Sequence, residues 1–108
     1  MSKTYLNRPA TIAAALYALA DDFAAMPDTD LPDLAVSVGV QVCQHGAGSD
    51  RRAAVVDELA KALLGTAGET QRLSSGSWHH GVPYDLRHRD GLQVDLFAVV
   101  DAPLSAVA

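Results

Sequence analysis

Residues 70–100 read TQRLSSGSWHHGVPYDLRHRDGLQVDLFAVV, and the pattern of this stretch decides the architecture. Leu92, Val94, Leu96, Ala98 and Val100 alternate with their neighbours, which is the period of a strand with one buried face. Just before them, Arg89-Asp90-Gly91 supplies the Asp-Gly step that a tight hairpin favours. The return strand is therefore predicted over Leu92–Val100 and the outgoing strand over Pro83–His88, with Trp78, Tyr84 and Leu86 on the outgoing leg. Pro83 has no N–H to give to a ladder, so it belongs at a strand start or an edge. Glu69–Ser74 reads as a further strand, and Ser75-Gly76-Ser77 as a break or bulge after it.

Working outward, the segment before Gly65 is helical. Ala53, Val56, Leu59, Ala60, Leu63 and Leu64 fall on one side, and Arg51, Arg52, Asp57, Glu58 and Lys61 on the other. Ser49 or Asp50 can cap its start, and Gly65 gives a left-handed stop. Upstream, His45-Gly46-Ala47-Gly48 reads as a loop. Val36, Val38, Val40 and Val42 then form one face of a strand whose other face is the smaller set Ala35, Ser37, Gly39, Gln41 and Cys43. A first helix is predicted from Pro9 to Met26, with Asn7 or Arg8 before it as cap. Ile12, Leu16, Leu19, Phe23 and Met26 make its apolar stripe, and Pro27 ends it.

The order is thus helix, strand, helix, strand, strand, strand. Two amphipathic helices and a mostly antiparallel sheet imply an α+β two-layer sandwich, with both helices on one face of the sheet. The 108 residues are expected to form one domain, 1–108, with frayed termini at 1–7 and 102–108. A strand, a helix and another strand in succession suggest a right-handed crossover where the two strands lie parallel.

Composition bounds the function. At 49% hydrophobic and 19% charged residues the chain can build a core and is not of disordered type. Aromatic residues are only 6% of it, so the core is made of small side chains and association with a partner is attractive. A net charge of −5 argues against general nucleic-acid affinity. The one cysteine, Cys43, has no partner for an intramolecular disulfide, which suits a reducing cytoplasm. Met1–Pro9 lacks the charged-then-apolar order of a signal peptide, and no apolar run reaches the ~20 residues needed to cross a bilayer.

The chemistry-bearing residues form no recognised motif, and no catalytic residue, cofactor or metal is assigned. His79 and His80 are neighbours on a strand, so they point to opposite faces and do not readily share a metal, even with His45, His88, Asp85 or Cys43 nearby. A Cys43–His45 nucleophilic pair would need an orienting third group, which the sequence does not supply. His45-Gly46-Ala47-Gly48-Ser49 resembles an anion-binding turn in outline but lacks the spacing of a phosphate loop. A metal- or thiol-dependent enzyme is accordingly the third-ranked expectation. The candidate surface is Trp78, His79, His80, Tyr84, Arg87, His88 and Arg89. With Arg72 and Arg51-Arg52 it would suit a small nucleic-acid-binding regulator, the second-ranked expectation. The first is a non-enzymatic protein-binding or regulatory module, with a protein partner or a homo-oligomer and no membrane.

The run Leu16-Tyr17-Ala18-Leu19-Ala20-Asp21-Asp22-Phe23-Ala24-Ala25-Met26-Pro27-Asp28, followed by Leu31-Pro32, resembles the opening of small α+β proteins common in actinobacteria and their phages. Gly91–Val99 resembles their last strand. Those proteins have no assigned function, so the resemblance implies an accessory protein and transfers no catalytic residue.

Overall fold

The computed structural model describes residues 5–45 and 47–103. Within them the chain falls into two compact units, one up to Asp33 and one from Leu34 onward. The protein is of the α+β class: the described residues form two α-helices and a mixed, mostly antiparallel sheet of five strands.

The first unit contains helix α1, Pro9–Ala24. Arg8 stands at the N-cap with extended backbone and Pro9 opens the first turn, where its missing N–H costs nothing. The helix ends two residues earlier than expected: the Ala25 N–H still bonds the Asp21 carbonyl, but Met26 bonds Phe23 in a tighter turn. Pro27 enforces this by excluding helical geometry in the residue before it. On the stripe, Ile12 is half-buried and Leu16, Leu19 and Phe23 are exposed.

In the second unit, β1 (Ser37–Val42) leads to helix α2 (Ser49–Leu64), and then come β2 (Glu69–Arg72), β3 (Trp78–Gly81), β4 (His88–Arg89) and β5 (Leu92–Val100). The strand order is β1-β5-β3-β2, and the short β4 pairs with the start of β5. β5 runs parallel to β1 and antiparallel to β3 and β4. Because β2 is antiparallel to β3, it runs in the direction of β1, but β5 and β3 lie between them. The strand–helix–strand connection therefore spans the sheet instead of joining adjacent strands.

The alternation read in β5 is realised: Val94, Leu96 and Ala98 are buried, and residues between them are half-buried. Val94 and Leu96 pack with Ala60 and Val82, Val40, Leu59 and Leu64 close around this cluster, and Val56 is fully buried as well. α2 starts at Ser49, and Gly48 takes the N-cap in place of the expected Ser49 or Asp50. Ser49 has another task, since its hydroxyl accepts the Asp101 N–H at 2.9 Å. Gly65 ends the helix in the left-handed conformation.

The Asp-Gly hairpin is present. Asp90 and Gly91 have φ of 50° and 84°, the double positive that a two-residue turn between twisted strands requires. The outgoing strand, however, does not run over Pro83–His88. The chain leaves the sheet at Val82 and Tyr84–Leu86 form a 3₁₀ turn, with Leu86 N–H bonded to the Pro83 carbonyl at 3.0 Å. Pro83 cannot continue the ladder and its fixed φ starts a turn instead. Arg87 staples this excursion, its Nε donating to the Val82 carbonyl at 2.6 Å. Upstream, β2 is also shorter than expected, stopping at Arg72. Leu73 N–H bonds the Ser77 carbonyl to close a turn through Gly76. Gly46 and the end residues 1–4 and 104–108, part of the expected loop and frayed termini, lie outside the described residues.

Candidate functional site

The seven surface candidates do not form one surface. Trp78 and His80 point to the α2 side of β3, and His79 to the opposite side, as neighbours on a strand must. Beyond Val82 the 3₁₀ turn at Tyr84–Leu86 interrupts the strand alternation. Tyr84 and Arg87 instead gather at the 3₁₀ turn, with His88 beside them at the start of β4. The rings of Tyr84 and His88 meet edge to face at 5.9 Å, and the Arg87 guanidinium carbon lies 5.8 Å from the Tyr84 ring centre. Arg89 turns to the end of α2, donating to the Leu63 carbonyl at 3.4 Å, where a cation complements the helix dipole.

His80 is buried and held at both nitrogens. Nε2 lies 2.9 Å from Asp57 Oδ1 on α2, and Nδ1 lies 2.8 Å from the Thr70 hydroxyl on β2. With Asp57 ionised, Nε2–H donates to the carboxylate; Nδ1 accepts the Thr70 hydroxyl proton when the ring is neutral and donates to that oxygen when the ring is charged. The Gly68 N–H also donates to Asp57 Oδ1, at 2.8 Å. Burial alone would raise the Asp57 pKa, but the His80 hydrogen bond, the Gly68 N–H and the charge of His80 outweigh it and lower the value. The group is a polar strut joining helix, loop and two strands.

Two arginines of α2 also have partners within the chain. Arg52, expected on the outward side of α2, is instead buried while Leu63 is exposed: the Arg52 Nε and Nη2 donate to the Val99 carbonyl at 3.2 and 3.0 Å and its Nη1 to the Ala47 carbonyl at 2.6 Å. Arg51 pairs with Glu58 at 3.5 Å. Among the described residues no group of three or more His, Cys, Asp or Glu side chains is placed to hold a metal. The Cys43 thiol is half-buried and directed at the Gln41 carbonyl, 3.6 Å away.

A hollow of about 380 Å³ opens on the sheet face away from α2. Its floor is Phe97 on β5, stacked on His79 of β3 with ring centres 5.0 Å apart and planes at 18°. Gly81, the register partner of Phe97, keeps the floor low: a Cβ there would stand 2.9 Å from the Leu96 carbonyl and 3.0 Å from the Phe97 Cβ. The rim carries Glu69, Gln71, Arg87, Gln93 and Asp95. Asp95 accepts from the Gln93 amide at 3.0 Å and faces Arg87 at 3.6 Å. Of the sequence candidates only His79 and Arg87 reach this hollow. Phe97 was readable as an aromatic residue on the polar side of an alternating strand, and that anomaly is the signal that points here.

No family model, curated protein or solved structure matches the chain. No helix among the described residues is long and apolar enough to cross a membrane.

Proposed function

We propose that the chain is a non-enzymatic protein-binding or regulatory module whose working surface is the open sheet face, and that its partner seats a basic side chain in the hollow. The observation that carries this reading is the Phe97–His79 stack on the face away from α2. An aromatic pair placed there serves a ligand better than it serves a core that lies on the other side of the sheet. Glu69 and Asp95 set two carboxylates against the one guanidinium of Arg87, so the rim favours a cation. The aromatic floor adds a cation–π contribution for a guanidinium or ammonium laid across it.

A nucleic-acid partner is less well served. Arg51, Arg52, Arg87 and Arg89 each bond groups of the fold, and the hollow has an excess of negative charge. The lone Cys43 suits a cytoplasmic setting.

The test is fluorescence anisotropy with pools of short labelled peptides carrying arginine, lysine or glutamate among small apolar residues. The cationic pools should bind, the acidic pool should not, and Phe97→Ala should abolish binding with its circular dichroism unchanged. Equal binding of all pools, or binding that survives both Phe97→Ala and Glu69→Gln, contradicts the reading.

A further inference from the structure

We infer that the chain forms a twofold dimer in which the free edge of β1 pairs antiparallel with the same edge of a second copy, centred on Gly39. β1 is an outer strand: β5 flanks it on one side, and among the described residues no other strand pairs with it. Edge strands are ordinarily guarded against such pairing by lysine, proline or a bulge. β1 carries none of these, since there is no charged residue between Asp33 and His45 and no proline between Pro32 and Pro83.

The register shows that the edge fits itself. The Gln93 N–H bonds the Val36 carbonyl, and Ser37 pairs with Gln93 across the parallel ladder. In this ladder the even-numbered residues of β1 bond β5, and the N–H and C=O groups of Ser37, Gly39 and Gln41 face outward. An antiparallel partner must therefore set odd residues opposite odd ones. Centred on Gly39, Ser37 meets Gln41 of the second copy and about six backbone hydrogen bonds form. The same register sets Val38 opposite Val40 and Val36 opposite Val42, so valines meet valines on the α2 side. Hydrogen bonding and apolar matching thus select the same family of registers, which a twofold axis perpendicular to the sheet generates.

Burial and charge agree with this occupant. Val38, Val40 and Val42 are only half-buried and Val36 is 41% exposed, so a second copy would complete their cover. With a net charge of −5, two copies repel through most of their surface, and β1 is a neutral place for them to meet. A single strand pair is smaller than a standard interface, so the dimer should dissociate at about micromolar concentration. The inference uses the edge of β1 and not the hollow, and it can fail without touching the open-face reading.

Sedimentation equilibrium of the full chain over a concentration series, with three sequences, tests it. Wild type should pass from monomer to dimer as concentration rises. Gly39→Ala should do the same, because a Cβ at this position meets nothing within 4 Å in the monomer. Gly39→Asp sets two like charges opposite each other at the axis and should stay monomeric, weakening association at least about tenfold, with an unchanged circular dichroism spectrum. A wild type that remains monomeric at about 1 mM overturns the inference. So does a dimer that persists undiminished in a folded Gly39→Asp.

Discussion

His80 Nε2 lies 2.9 Å from Asp57 Oδ1, which ties the second helix to the third strand. The carboxyl's pKa is held below the ordinary aspartate value of 3.8. A lowered carboxyl pKa contributes stability that is complete above the unfolded-state value and is lost as pH falls through the folded one. Urea unfolding should therefore show wild type losing stability below about pH 4, with a shallower acid slope in Asp57→Asn. Parallel slopes for the two proteins would contradict this role.

Arg52 is expected to matter through its geometry as well as its charge. Its guanidinium serves the Val99 and Ala47 carbonyls together, joining the start of α2 to the end of β5. Arg52→Met keeps the stem but leaves those acceptors without their donor, and should cost about 1–3 kcal/mol in denaturant unfolding. Arg52→Lys should recover only part of that, since an ammonium cannot reproduce the fork.

A pair of leucine truncations separates the observed hairpin from the regular one that the sequence suggests. Leu96 is almost fully buried, and Leu96→Ala should cost about 2–5 kcal/mol. Leu86, on the 3₁₀ turn, is 46% exposed, and Leu86→Ala should change stability by no more than about 0.5 kcal/mol. A large loss at Leu86 would restore the continuous outgoing strand.

Two glycines should respond differently to one added methyl group. Gly81→Ala drives a Cβ against the Leu96 carbonyl and should destabilise by about 1–3 kcal/mol, measured by thermal melting. Gly39→Ala enters open space and should be tolerated within about 0.5 kcal/mol.

Much of this fold was legible because its signals are local. The valine alternation of β1, the period of α2, its stop at Gly65 and the Asp-Gly turn each depend on a few adjacent residues. The 3₁₀ turn was hidden because Tyr84 and Leu86 have the composition of a strand. What diverts the chain is Pro83 acting with the Arg87 staple, a contact no periodicity encodes. Strand order was illegible for a related reason: β1 and β5 meet across most of the chain, and nothing in either run names its neighbour. The candidate surface divided because its arginines and histidines are near in sequence but lie on both sides of a sheet. Thr70, Asp57 and His80, by contrast, are scattered in sequence and come together only when α2 docks.

The central claim is that partners bind on the sheet face away from α2, and chemical-shift mapping with an arginine-bearing peptide tests it most directly. Largest shifts at His79, Phe97, Gln93 and Asp95, with little change along α2, are the predicted result. Shifts centred on Tyr84, His88 and Arg89, or on the exposed side of α2, would contradict it.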